Sequence, residues 1–312
     1  MIDKSVKTKM PNQFIPLKYC PACAGEKRRY CFDVAGSKLY ECDGCHLRFL
    51  DPCLSLESTA QAYESTASLM ELHGFHEGYY DYGDLQKNSG TRREFERALG
   101  KLENCLGRVS GNRILDVGYG NGFFLALARR RGWQVSGIDT SEHNKNLART
   151  KFGLVLDAGS FEKDVNKSHF YDVVSFWDVL EHLPDPGVLL KKAFKVVRPG
   201  GYVLIGVPND GGFLSLLSNA LFRLTCGRLR QGIDKVYLSE HVAYYDLGSL
   251  NCLLNRNGFE MRESFYSSTD LAKYKLPKGE RLIANAVLML GRIVCRENRL
   301  IGIYQKKDET GT

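Results

Sequence analysis

The sequence predicts an α/β fold, a doubly wound parallel sheet preceded by a small four-cysteine module. Three observations carry this. Strand and helix patterns alternate from residue 113 onward, a glycine-rich turn joins the first of those strands to the first helix, and two Cys-x-x-Cys pairs stand near the N-terminus. Alternation of this kind buries a parallel sheet between helical layers.

In the alternating region, strands are expected at 113–118, 134–138, 153–156, 171–176 and 201–207, with helices at 122–131, 142–151 and 187–197. A different texture follows: an apolar helical stretch at 211–230, a helix at 246–257, a strand at 259–267, a helix at 280–295 and a strand at 300–305. Upstream, residues 55–63 read as a helix, and Thr91 followed by Glu94 reads as a capping box for a helix ending near Leu106. The expected organisation is a flexible N-terminus (1–15), a cysteine module (16–53), a helical linker or cap (54–110) and the α/β domain (111–312), with a lid insertion around 209–245.

Composition narrows the class. The 312 residues are 43% hydrophobic and 25% charged, which supports a packed core. No run of about 18 apolar residues occurs, and the longest apolar stretch, Leu282 to Cys295, contains Arg292. The first residues lack an apolar signal segment, so the expected location is cytoplasmic. A net charge of +7 permits an anionic partner but is far from a dense basic stripe.

Ten cysteines without an export signal argue for metal ligation or buried thiols rather than disulfides. Cys20-Pro-Ala-Cys23 and Cys42-Asp-Gly-Cys45 are separated by 18 residues, a spacing that suits zinc. Two residues between thiolates let both reach one ion from a tight turn, and two such turns close a tetrahedron of sulfurs. The intervening segments 28–34 and 38–42 read as short strands around Gly36, so a zinc ribbon is expected. Its few apolar residues imply that metal supplies much of its stability. Cys31 and Cys53 are spare, and His46 stands one residue too far along to be a preferred ligand.

The glycine turn reads Asp116-Val-Gly118-Tyr-Gly120-Asn-Gly122. Glycines between a strand and a helix N-terminus let the backbone approach a ligand closely. The second strand ends at Asp139, 21 residues after Gly118, where a carboxylate can accept hydrogen bonds from both ribose hydroxyls of an adenosine. A dinucleotide fingerprint would need glycine at 123, which is Phe123. Asp116 would repel a pyrophosphate but suits a ligand carrying an ammonium group.

The segment 114–125 resembles motif I of class I S-adenosylmethionine-dependent methyltransferases. The resemblance continues collinearly at 170–186, 196–209 and 240–260, the last being a segment common in the small-molecule branch. It implies a seven-stranded Rossmann-like sheet with S-adenosylmethionine as cofactor. Gly118, Gly120 and Gly122 would line the methionine end, Asp116 would serve the amino group indirectly, and Asp139 the ribose. Ser160 and Phe161 occupy the place where the family contacts adenine. Trp177 and Asp178 would close over the cofactor near the sulfonium, core packing being the alternative for Trp177.

The acceptor side is less marked. His182, in the loop after the fourth strand, and His241, after the lid, are the candidate bases, each with a structural alternative. The Glu-His segment at 240–241 is similar to one in zinc-containing sugar C-methyltransferases. Those have a tyrosine three residues ahead of the histidine, where this chain has Leu238 with Tyr237 beside it. Tyr79, Tyr80 and Tyr82 could line an acceptor pocket or pack between domains, and the helix at 211–225 could be a lid over a greasy acceptor, an interface or core. The acceptor is expected to be a small molecule such as a sugar, glycan-linked compound or secondary metabolite. Ribosomal RNA is the second reading, because a zinc ribbon also precedes RNA guanine methyltransferases; the ribbon's basic cluster is only Lys27-Arg28-Arg29. An inactive cofactor-binding scaffold is the third.

Overall fold

The computed structural model describes residues 13–308 apart from 35, 57, 60–83, 88, 108–110 and 272–276. The expected tyrosine cluster at 79–82 and most of the helix expected at 55–63 lie outside the described residues.

The N-terminal module is a set of short strands. β1 (Phe14–Ile15) pairs antiparallel with β5 (Cys53–Leu54), while β2 (Arg28–Val34), β3 (Ser37–Cys42) and β4 (Arg48–Asp51) form an antiparallel meander. Gly36 turns β2 into β3 with φ of +90°, a left-handed conformation that glycine adopts without Cβ strain. The meander does not stop at β4. Its outer edge is taken by β11 (Ala243–Tyr244), with Ala243 opposite Phe49 and Tyr244 opposite Arg48. Covering that edge removes a row of unpaired backbone groups.

The second sheet has seven strands in the order β12 (Phe259–Ser267), β13 (Arg299–Lys306), β10 (Val197–Pro208), β9 (Tyr171–Trp177), β6 (Arg113–Val117), β7 (Gln134–Asp139) and β8 (Asp157–Ala158). β8, β7, β6, β9 and β10 run parallel; β13 is antiparallel to β10 and β12. All seven residues of β9 are buried, as a central strand covered on both faces requires. The helices are α1 (Gly90–Leu106), α2 (Phe123–Arg130), α3 (Glu142–Phe152), α4 (Phe161–Asp164), α5 (Pro186–Val196), α6 (Phe213–Leu224), α7 (Gln231–Val236), α8 (Leu247–Arg256) and α9 (Lys278–Ile293).

Three sequence expectations are corrected. No strand forms at 153–156. Gly153 ends α3 in the left-handed conformation and Leu154 N donates to Ala148 O, so these residues cap a helix and only 157–158 pair with the sheet. Thr91 is not the cap of α1: Ser89 accepts from Arg92 N, and Glu94 pairs with Arg299 instead of closing a capping box. The apolar stretch 211–230 is neither continuous nor core. Only 213–224 form a helix, α6, and the chain then turns before α7 begins at Gln231; the buried residues of α6 are Ser215, Ser218 and Asn219, while Leu216, Leu221 and Leu224 face outward. α9 shows the same inversion, with only Gly291 buried and Leu282, Ile283, Met289 and Ile293 exposed. Among the described residues, no helix is long and apolar enough to cross a membrane.

The module and the sheet share one core. Cys20, Ala22, Cys42, Leu47 and Phe49 pack in the same buried cluster as Val174, Val203, Leu250 and Phe259. Arg48 ties the meander to the α6–α7 region. Its Nη1 donates to Asp210 Oδ2 (3.1 Å) and to the Tyr237 hydroxyl (2.9 Å), Tyr237 donates to Asp210 Oδ1 (2.8 Å), and Asn219 Nδ2 donates to the same hydroxyl (2.8 Å). Removing Arg48 would leave Asp210 buried without its cation. Arg48→Ala is expected to lower the unfolding free energy by about 3–5 kcal/mol, and adding Asp210→Asn should recover much of that loss in urea denaturation.

Candidate active site

The glycine turn leaves β6 and enters α2. Gly118, Gly120 and Gly122 have φ of +72°, +55° and +82°. A Cβ on Gly118 would stand 2.7 Å from Val179 Cγ2, and one on Gly122 would press on Ala148 and Leu154. Glycine is therefore demanded at both positions by backbone conformation and by space. The turn is braced by the end of β7: Gly118 N donates to Ile138 O (2.8 Å), and Gly120 N to Asp139 Oδ2 (2.9 Å).

Asp139 is the hub of this corner. Beyond Gly120 it accepts from Ser141 N (2.9 Å) and Asn144 Nδ2 (3.2 Å). Three of the roughly four lone-pair directions of the carboxylate are thus spent on positioning the loop. Burial pushes the Asp139 carboxyl above its ordinary value, outweighing those three bonds. Asp116 is wholly buried and accepts from Ser175 Oγ (2.7 Å); burial, with a smaller contribution from the charge of Asp139, pushes it up to about 8. Gly159 N donates to Asp139 O (2.8 Å), which lays the loop before α4 against the end of β7. Ser160 is the N-cap of α4, and Phe161 is buried edge-on against Phe176. These residues form one corner, with the carboxyls of Asp116 and Asp139 on the neighbouring strands β6 and β7. That arrangement fits a ligand carrying both an ammonium and a ribose.

Trp177 lies in the core. Its ring covers Gly206, where any Cβ would fall 2.2 Å from Cε3, and it packs on Phe95 and Phe124. Its Nε1 has no hydrogen-bond partner among the described residues.

Beyond β9 the chain lines a second space, a cleft of about 240 Å³. Asp178, Glu181, His182 and His241 all reach it, so the two histidines named from the sequence share one wall. Their rings stand edge to face with centroids 4.7 Å apart. His182 Nδ1 is 3.0 Å from the carbonyl of Glu240, which can only accept, so Nδ1 carries a proton, and in the neutral ring the lone pair is on Nε2. Asp178 adopts a left-handed φ of +53° and accepts from Arg299 Nη1 (2.8 Å), while Arg299 also pairs with Glu94. Although burial works against its charge, Arg299 is held well above its ordinary pKa by those two carboxylates. Sequence reasoning missed Arg299, Glu94 and Glu181 as cleft residues. Glu94 was hidden by its helix-cap spacing, Arg299 lies outside every motif, and Glu181 was visible only as the neighbour of His182. Tyr237, singled out beside Leu238, is buried in the Arg48 network; Leu238 lines the cleft.

The four ribbon cysteines converge. The Sγ atoms of Cys20, Cys23, Cys42 and Cys45 lie within 4.8 Å of one another, with Cys20–Cys45 at 3.5 Å and Cys23–Cys42 at 3.4 Å. Burial pushes the Cys23 thiol up to about 11, and its sulfur neighbours add to that. Four converging sulfurs at these distances could, as thiolates, hold a tetrahedral metal ion. Cys31, Cys53 and His46 stand outside it.

The family described as "Methyltransferase domain" matches residues 90–264, more than half of the chain. The chain belongs to this family. Curated relatives are named ubiquinone biosynthesis O-methyltransferase. That of Bordetella bronchiseptica is 33% identical over 117 residues, 36% of this chain and 48% of the relative. That of Hydrogenovibrio crunogenus is 32% identical over 136 residues, 41% of this chain and 53% of the relative. The chain thus spans about half the length of the curated relatives it matches. Among solved structures, magnesium protoporphyrin IX methyltransferase from Synechocystis PCC 6803, with bound SAH, is similar at a TM-score of 0.54 and 15% identity over 81% of this chain and 100% of that one. That likeness establishes the class I methyltransferase fold.

Asp116 gives this member of the methyltransferase family a pH signature. Its pKa is raised in the fold, so the protonated carboxyl contributes stability that is fully present below about pH 4 and is lost as pH rises through about 8. Asp116→Asn keeps the acceptor for Ser175 and cannot ionise. Its melting temperature without ligand should therefore exceed the parent's by a margin that grows between pH 4 and 8, at about 2–4 °C per kcal/mol relieved. Scanning calorimetry at a series of pH values checks this; a constant margin would contradict it.

Proposed function

We propose that this chain is an S-adenosylmethionine-dependent methyltransferase acting on a hydroxyl of a small-molecule acceptor. The observation that carries the reading is the adjacency of the two spaces. Gly118 packs on Val179, whose neighbours Asp178 and Glu181 line the cleft. A cofactor seated on the glycine turn and an acceptor seated in the cleft would meet across residues 177–182.

In this reading Asp116 serves the ammonium of the cofactor indirectly or through water, Asp139 holds its ribose through the remaining lone pair, and Ser160 and Phe161 bound the adenine. The cofactor supplies an electrophilic methyl carbon on a sulfonium, which needs alignment more than activation. Asp178, fixed by Arg299, stands at the join between the two spaces. Glu181, His182 and His241 form the end of the cleft where the acceptor oxygen gives up its proton. The names of the curated relatives favour an oxygen acceptor, and a cleft of about 240 Å³ suits a ring-sized group.

The ribbon cysteines are proposed to hold one zinc ion in a structural role, since all four positions are filled by protein thiols. Elemental analysis should find one zinc per chain in the purified protein, retained on dialysis and lost in Cys42→Ser, whose melting temperature should fall by 5 °C or more, on the order of 2 kcal/mol.

Calorimetric titration of S-adenosylhomocysteine tests the cofactor. Micromolar binding is expected, weakened at least tenfold in Asp139→Ala, which loses both the ribose contact and the brace on Gly120. Label from methyl-tritiated S-adenosylmethionine should then pass to a phenolic or other hydroxyl-bearing small molecule in an acceptor panel. Transfer to ribosomal RNA instead would replace the acceptor, and tight cofactor binding with no transfer to either class would leave a scaffold.

A further inference from the structure

Glu181 is 1% exposed, and neither oxygen of its carboxylate has a hydrogen-bond donor among the described residues. A buried carboxylate without donors carries a desolvation cost of several kcal/mol, and carboxylates in such places are ordinarily paired or bound to metal. Its neighbours are two imidazoles. One ligand-capable atom from each of Glu181, His182 and His241 lies within 4.8 Å of the others. Among the described residues no lysine or arginine pairs with Glu181: the nearby Arg299 pairs with Asp178 and Glu94.

The imidazole geometry points the same way. The Glu240 carbonyl holds a proton of His182 on Nδ1, so that the neutral ring presents its lone pair on Nε2. A second partner of this type is what fixes a ligating histidine in the correct tautomer. His241 is carried by the turn in which His241 N donates to Leu238 O, and Val242 N then donates to Glu181 O (2.7 Å), so the two halves of the cluster are clamped by backbone. Donor atoms around one ion at about 2.1 Å stand no more than about 4.2 Å apart, so small side-chain rotations bring all three into range. Three protein donors on one wall of an open cleft leave coordination positions facing the acceptor, the arrangement of a catalytic rather than a structural ion.

We propose that Glu181, His182 and His241 bind a divalent cation at the acceptor end of the cleft. The site is separate from the four-cysteine cluster and differs from it in chemistry, with two nitrogens and one oxygen in place of four sulfurs. The cation lowers the pKa of an acceptor hydroxyl brought beside it. The O–H bond breaks, its electron pair stays on oxygen, and the proton passes to water in the open cleft. This deepens the function proposed above and rests on it for the identity of the acceptor. It also changes the part played by the histidines, which hold the ion instead of taking the proton. Asp178, on the same wall, adds negative charge that favours a cation.

The probe is Mn2+, whose preference for oxygen and nitrogen donors keeps it off the thiolate site. Zinc-loaded full-length protein is titrated with Mn2+ and the free ion is followed by electron paramagnetic resonance. One Mn2+ per chain is expected, bound at least tenfold more weakly by Glu181→Gln and by His241→Ala. Ribbon zinc and S-adenosylhomocysteine affinity should be unchanged in both, which shows that the variants are folded. His182→Asn, whose side-chain amide can still meet the Glu240 carbonyl, should behave likewise. Wild-type protein that binds S-adenosylhomocysteine but neither Mn2+ nor a second Zn2+ overturns the proposal and leaves the methyltransferase reading standing. So does equal Mn2+ affinity in all variants. Failure to bind S-adenosylhomocysteine with Mn2+ bound at this site would sink the functional reading alone.

Discussion

The pairing of β11 with β4 is the contact on which the rest of the molecule is arranged. Residues 240–246 serve several neighbours at once. Ala243 and Tyr244 complete the ribbon meander, Val242 N holds the carbonyl of Glu181, the Glu240 carbonyl sets the tautomer of His182, and Asp246 caps α8. A shift of one residue in this register would turn Ala243 and Tyr244 to opposite faces and move His241 away from His182. The ribbon is thus the template on which the acceptor wall is assembled. The Arg48 network repeats the connection with charges, and the shared apolar cluster repeats it with methyl and aromatic groups.

The sheet follows the alternation of the sequence closely because its strands have strong local signals. Short, mostly apolar and β-branched runs mark β6, β9 and β10, with helical patterns between them. The corner built by Gly118, Gly120, Gly122, Asp116 and Asp139 was legible for the same reason: each residue type is forced by backbone conformation or by charge within one βαβ unit. The cysteine cluster was legible from spacing alone, because two short turns fix where four sulfurs fall.

The acceptor wall was only half legible. His182 and His241 could be named one by one, yet nothing in sequence spacing says that they meet Glu181. Their meeting depends on β11 crossing to β4, a pairing of two residues without periodicity to reveal it. Glu94 and Arg299 were hidden for a related reason: their partners lie on other elements, and a Thr-x-x-Glu spacing offered Glu94 a local role it does not take. The 211–230 stretch misled in the other direction. Apolar helical residues ordinarily turn inward, but α6 turns Ser215, Ser218 and Asn219 inward, where Asn219 reaches the Tyr237 hydroxyl, and leaves Leu216, Leu221 and Leu224 outside.

The antiparallel edge of β4 has a consequence during synthesis. The cysteine turns and β2 to β4 leave the ribosome early, whereas residues 243–244 follow only after nearly the whole parallel sheet has been translated, which at about 5–20 residues per second takes some tens of seconds or less. Through that interval the ribbon has its sulfur turns but an open strand edge carrying Phe49 and Leu50, the kind of surface that recruits other nascent chains. Early metal capture by the four thiols would fix the meander's twist before its partner strand arrives, so that the late segment docks onto a finished template.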